Sequence, residues 1–170
     1  MLITGGAIGW IGALALTIER LNVAANPDAV LSCDISPFIS CKSVMLTEQA
    51  ALLGFPNSLI GLAVFVVPIL IGFAILAGAK FAKWFWLLFT LGMIGGFLFV
   101  AWLFSQSLFV IGALCPYCMV AWTGMIPMFW KQFLFSAREG ILPVPLKTVG
   151  FFVAAYAVSY THLRAHETEA

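Results

Sequence analysis

From Ser58 to Gly78 the chain runs for 21 residues without a charged side chain, and this stretch limits the possible folds more than any other. As an α-helix rising about 1.5 Å per residue it covers roughly 30 Å, the depth of a bilayer's hydrocarbon core. Backbone polar groups find no water at that depth, so only helices or a closed barrel can cross it. Three further apolar runs, Met1 to Thr17, Trp84 to about Ser105 and Ala113 to Trp130, point the same way. A fifth, Thr148 to Tyr160, is short for a span and gains the length only by starting near Ile141, with Lys147 snorkelling to the interface. The expected fold is an all-α integral membrane protein, a four-helix transmembrane bundle followed by a fifth transmembrane helix. Composition agrees: 63% of residues are hydrophobic and 9% charged, where soluble domains hold about 45–50% and about 25%. With a net charge of +1 and no basic patch, nothing favours a nucleic-acid partner.

Met1 to Thr17 lacks the basic start of a signal peptide and reads as an uncleaved first helix ending at Glu19-Arg20. Leu21 to Asn57 is polar and turn-rich, the one long loop outside the membrane, with a short interfacial helix expected within Lys42 to Leu53. Gly92, Gly95 and Gly96 would let a neighbour approach the third helix, and Ser105-Gln106-Ser107 would turn the chain into the fourth. If the N-terminus is cytoplasmic, the inner loops carry Lys80, Lys83, Lys131, Arg138 and Lys147 against Arg20 and Lys42 outside, as the positive-inside rule requires. Trp84, Trp86 and Trp130 then fall at cytoplasmic helix ends, as an interfacial belt would. The same topology places Cys33, Cys41, Cys115 and Cys118 on the outer face, where disulfides persist.

Leu114-Cys115-Pro116-Tyr117-Cys118 opens the fourth helix. Residues i and i+3 share a helix face with Cβ atoms roughly 5 to 6 Å apart, and a small distortion brings them to the about 3.5 to 4.5 Å of a disulfide. Pro116 suits a first turn, and the positive helix end favours thiolate. A single cysteine in an apolar helix is more often a small buried hydrophobe; a CxxC around a proline is more specific for redox chemistry. Two pairs, Cys33/Cys41 in the loop and Cys115/Cys118 at the helix mouth, suggest a relay by thiol-disulfide exchange. Its acceptor would have to take two electrons and dissolve in lipid, as a quinone does. A different class of reading is a membrane metal-binding protein with four thiolates, suited to zinc or Cu(I). The seven residues between Cys33 and Cys41 are loose for a metal loop.

The chain resembles the vitamin K epoxide reductase family, in detail its bacterial disulfide-bond-forming branch, through Cys33-Asp34, Ser40-Cys41-Lys42-Ser43-Val44, Gly54-Phe55-Pro56-Asn57-Ser58-Leu59-Ile60-Gly61 and Leu114-Cys115-Pro116-Tyr117-Cys118. The similarity runs from Met1 to about Val158, in the family's order and spacing. It implies a quinone-dependent thiol-disulfide oxidoreductase of the bacterial plasma membrane, using menaquinone or ubiquinone. By resemblance, Cys118 meets the quinone with Cys115 as its partner. Cys41 attacks Cys115, and Cys33 exchanges with a DsbA-like or thioredoxin-fold protein on the outer face. Asn57 matches the family's side-chain donor to a quinone carbonyl; its place also fits a helix N-cap. Trp122 stands where vertebrate members carry a tyrosine that bonds the quinone. An indole N–H donates but cannot accept, so Trp122 either contacts the quinone or packs in the core, and epoxide turnover is put in doubt. A vitamin K quinone or epoxide reductase proper is the alternative within the class.

Residues 1–158 thus form the expected transmembrane domain, with some sequence ahead of Met1 expected to be missing. Residues 159–170, which hold both histidines, His162 and His166, break with the rest and read as an artefactual or disordered tail. The tail stands where some bacterial relatives carry a fused thioredoxin-like domain, so the partner is expected in trans or as a lost fused domain.

Overall fold

The computed structural model describes residues 1–28, 31–36 and 38–142; the expected fifth helix from Thr148 and the tail lie outside them. Among the described residues every regular element is helical. They are α1 (Leu2–Ala25), α2 (Cys41–Met45), a 3-10 turn (Glu48–Ala51), α3 (Asn57–Leu76), α4 (Lys83–Gln106), a π-turn (Ser107–Ile111) and α5 (Pro116–Arg138). By length and apolarity α1, α3 and α4 with its π-turn can each cross a membrane. The more polar α5 packs against α1 and α4 and completes a four-helix bundle.

Helix α1 is the centre of the bundle, packed along both α3 and α5. Glycines allow the closeness: a Cβ on Gly12 would lie 2.9 Å from the Tyr117 carbonyl oxygen, and one on Gly124 2.5 Å from that of Gly5. Among the described residues no neighbouring backbone comes this close to the α4 glycines: a Cβ on Gly92 or Gly95 would meet nothing within 4 Å, and one on Gly96 only the end of the Met125 side chain. Helix α4 is held by α5 and scarcely touches α3. The polar contact is a buried cluster of Thr90, Gln132 and Ser136, with 2.6 Å between the two hydroxyl oxygens.

Several boundaries differ from expectation. Helix α1 does not end at Glu19-Arg20 but runs on to Ala25. Charges end a membrane span, not a helix; the stop is Pro27, which disfavours helical backbone at Asn26, found extended at φ −141°. The interfacial helix is broken into α2 and the 3-10 turn. The polar triplet at Ser105 does not turn the chain, and the Ser105 hydroxyl donates back into the helix, to the Trp102 carbonyl; the turn comes at Gly112, left-handed at φ 69°. Helix α5 continues eight residues past the expected end at Trp130 and closes on Gly140, left-handed at φ 61°, with the Ile141 N–H donating to the Ser136 carbonyl. Trp130 therefore lies inside α5, and Trp86 packs edge-on against Phe135 at 5.0 Å between the helices.

Candidate redox site

The extra turns of α1 carry a small cap built from residues 31–36 and 38–57. Its core is sulfur-rich: Val23, Leu31, Cys33, Cys41, Met45 and Cys115 form one buried cluster, with Leu16, Val44, Tyr117 and Cys118 packed against it. The segment before Cys41 is sewn to the segment before Cys115 by backbone bonds. Leu114 N–H donates to the Phe38 carbonyl at 2.8 Å, and Ser40 N–H to the Leu114 carbonyl at 3.0 Å. Residue 41 is thereby held beside residue 115 although the two are 74 positions apart.

Helix α2 begins at Cys41 because Ser40 caps it, its hydroxyl accepting from Ser43 N–H at 3.1 Å. Asp34 holds that cap in turn, accepting from the Ser40 hydroxyl at 2.7 Å and from Lys42 N–H at 3.1 Å. Partial burial works against the Asp34 charge, yet the Ser40 hydroxyl and the N–H groups of Lys42, Cys41 and Leu31 outweigh it and hold the carboxyl below the ordinary range. Asp34 is thus the tie across the hairpin that carries both loop cysteines.

Cys33 and Cys41 are joined in a disulfide, Cα atoms 5.7 Å apart, while Cys115 and Cys118 are free thiols. The Cys115 Sγ lies 3.3 Å from the Cys41 Sγ, and both residues are almost fully buried. Cys115 occupies the N-cap of α5 with Pro116 in the first turn, as the sequence suggests, so that Cys118 comes round one turn later. The sulfurs therefore form a line from Cys33 through Cys41 and Cys115 to the turn bearing Cys118. With two of four sulfurs bonded to each other, a four-thiolate metal site is not formed.

Cys118 borders two cavities. The smaller, about 70 Å³, lies under the sulfurs between Arg20, Cys41, Met45, Asn57, Cys115 and Cys118. The larger, about 460 Å³, runs down between α3 and α4 with α1 and α5 as its floor. Its lining is overwhelmingly apolar, and the exceptions, Asn57, Ser58, Cys118 and Trp122, are gathered at the cap end. A flat acceptor with polar carbonyls and an apolar tail fits this distribution: the head against Asn57 and Cys118, the tail along the cleft.

Asn57 is not the N-cap of α3 but its first residue, behind Pro56, and makes no capping bond. Its amide turns back to the cap instead, Nδ2 donating to the Gln49 carbonyl at 2.7 Å and Oδ1 accepting from Leu52 N–H at 3.2 Å. Pro56 supplies the fixed φ, −57°, that a helix entry needs, which leaves the amide free for this second task. Trp122 lines both cavities and meets Phe104 edge-on at 5.3 Å. All six residues singled out in the sequence therefore lie in one connected region. Glu19, Arg20, Ser32 and Tyr117 escaped notice, and their signal was only adjacency: a charge pair closing a helix, a serine before Cys33, and a tyrosine inside the CxxC.

No curated protein matches the chain. The model of the vitamin K epoxide reductase family matches residues 1–133, which take in the cap, all four cysteines and the greater part of the bundle. With a redox-capable cysteine line set at the mouth of an apolar cleft and a family match over most of its length, the chain belongs to the vitamin K epoxide reductase family and is a membrane oxidoreductase of the quinone-related kind.

Proposed function

We propose that the protein generates disulfides, passing electrons from a reduced thioredoxin-fold protein through Cys33/Cys41 and Cys115/Cys118 to a membrane quinone, in a bacterial plasma membrane with the cap on the outer face. The observation that carries this reading is the 3.3 Å between the Cys41 and Cys115 sulfurs, which joins the loop pair to the pair beside the cleft.

Each transfer is a thiol-disulfide exchange. A partner thiolate attacks Cys33 of the Cys33–Cys41 disulfide, and the bonding pair leaves on Cys41; the partner's second thiol then frees Cys33 and departs oxidised. The Cys41 thiolate attacks Cys115 of a Cys115–Cys118 disulfide, and the pair leaves on Cys118. Cys33 attacks Cys41 in turn, re-forming the loop disulfide and releasing Cys115. The outcome, a Cys33–Cys41 disulfide beside two free thiols, is the bonding pattern found here. A quinone in the cleft supplies an acceptor for two electrons and two protons. In this reading Asn57 holds its head, Trp122 walls it, and the cap excludes water. Re-closure of Cys115–Cys118 returns the protein to its starting state. The weak packing of α3 on α4 supports entry of the acceptor from the bilayer.

Quinone reduction by the purified protein in detergent tests the reading. Wild type is expected to turn over with a reduced thioredoxin-fold donor, Cys118→Ala to be inactive with any donor, and Cys33→Ala to fail with the protein donor yet work with a small dithiol. Full activity of Cys118→Ala would overturn the mechanism.

A further inference from the structure

The relay requires the Cys41 sulfur to stay beside Cys115, yet the helix that carries it has five residues. A helix that short does not hold itself together. Its N-terminal end is fixed by Ser40, Asp34 and the backbone bonds to Leu114. Its C-terminal end, the Met45 carbonyl, accepts from the guanidinium of Arg20 on α1, 25 positions away in sequence.

Arg20 is a cation of unusual placement. It is half-buried and, among the described residues, is the one charged side chain lining the small cavity bordered by Cys41, Met45, Cys115 and Cys118. Among the described residues its polar partner is that backbone carbonyl and not a carboxylate. The neighbouring Glu19 is engaged elsewhere, accepting from the Ser32 hydroxyl, which lies 2.9 Å from the Tyr117 hydroxyl. Consecutive residues of α1 thus reach different parts of the cap: Glu19 the serine before Cys33, Arg20 the C-terminal end of the Cys41 helix. An arginine so placed costs desolvation, and a carbonyl at a helix C-terminus is where its charge returns the most.

We propose that Arg20 is a positioning residue of the relay, holding α2 by the Met45 carbonyl so that Cys41 stays within reach of Cys115. Resting on the relay proposed above, this role appears as effective concentration. The tighter α2 is held, the more readily the Cys41–Cys115 bond forms while the Cys115–Cys118 bond breaks and its electron pair leaves on Cys118.

The test needs no quinone. In a Cys33→Ser/Cys118→Ser background only Cys41 and Cys115 remain, and equilibration with glutathione buffers followed by alkylation and mass spectrometry gives the constant for closing their disulfide. Adding Arg20→Met is expected to lower that constant about tenfold or more, whereas Arg20→Lys, which still donates to a carbonyl, stays within about threefold. Arg20→Gln, shorter and uncharged, is the second variant should Arg20→Met not fold, and a clear drop is expected there too. A constant unchanged by Met or Gln, or one that falls as far with Lys as with Met, overturns the proposal. Failure of the wild type to reduce quinone would defeat the proposed function without altering this constant, so the two outcomes separate.

Discussion

The Asn57 side-chain amide donates to the Gln49 carbonyl at 2.7 Å, so the residue matched to quinone binding is also a bolt between α3 and the cap. An amide nitrogen carries two N–H groups, and the second remains for a ligand carbonyl in the cleft that Asn57 lines. Asn57→Leu is expected to raise the quinone KM about three- to tenfold and to lower stability by about 1 kcal/mol, because it strips the Gln49 carbonyl and the Leu52 N–H of their partners. Asn57→Asp keeps the acceptor for Leu52 but has no donor. It also sets a carboxylate oxygen against the Gln49 carbonyl, acceptor against acceptor, so it should match the leucine variant in KM and lose at least as much stability. Steady-state kinetics beside thermal melting checks both, and an unchanged KM would make Asn57 a structural residue alone.

Asp34 gives the cap a pH dependence of definite sign. Its carboxyl lies below the ordinary range despite the burial that opposes it, because the Ser40 hydroxyl and three backbone N–H groups favour the charged form. The folded cap therefore binds fewer protons than the unfolded one between the lowered and the ordinary pKa. Stability from this group is complete above the ordinary carboxylate range and is lost as the pH falls through the lowered value. Reduction of Cys33–Cys41 by a small phosphine, which does not depend on thiolate formation, should accelerate over that acid window in wild type. In Asp34→Asn it should be fast and flat across the same window.

The membrane character was legible in the sequence because it rests on long charge-free runs such as Ser58 to Gly78, which need no knowledge of neighbours. The cysteine line was half legible. The CxxC at a helix mouth follows from spacing and Pro116, but the approach of Cys41 to Cys115 came only through the family resemblance, because it depends on backbone bonds between Phe38, Ser40 and Leu114 that no side-chain pattern announces. Glu19-Arg20 misled, since a charge pair after an apolar run marks the membrane surface and says nothing about whether the helix goes on. Among the described residues the close approach uses glycines of α1 and α5. Small residues permit close approach, but which glycines are used depends on where the partner helix lies.

That last point separates two substitutions that look alike in sequence. A Cβ at Gly124 would lie 2.5 Å from the Gly5 carbonyl oxygen and 2.8 Å from the Gly9 nitrogen, both backbone atoms that cannot turn aside, whereas at Gly95 it would meet none of the described residues within 4 Å. Gly124→Val should destabilise by about 3 kcal/mol or more or prevent folding in detergent. Gly95→Ala should be neutral or stabilise by about 0.5 to 1 kcal/mol through helix propensity. Melting temperatures of the two variants, with monodispersity on a sizing column, decide it; equal effects would mean that the α1–α5 seam is not where the helices touch most closely.

The Thr90, Gln132 and Ser136 cluster ties α4 to α5 through buried hydrogen bonds. The Thr90 hydroxyl has one hydrogen, and it is given to the Trp86 carbonyl at 2.7 Å; Ser136 must then be the donor in the 2.6 Å contact, and Gln132 adds an N–H to each oxygen at 3.1 and 3.2 Å. Such bonds between membrane helices contribute about 0.6 to 2 kcal/mol, and here they fasten the helix whose other side forms a wall of the 460 Å³ cleft through Leu88, Phe89 and Met93. With α3 offering α4 little support, Ser136→Ala or Thr90→Val should let that wall move. The expected result is a lower melting temperature together with a KM that rises more for a long-tailed quinone than for a short-tailed analogue, because the displaced wall lines the apolar length of the cleft and not its polar end. Equal changes for both analogues would mean that the cluster acts on the cap end, and no change in either would leave α4 held by apolar packing such as Trp86 on Phe135 and Phe97 on Phe129.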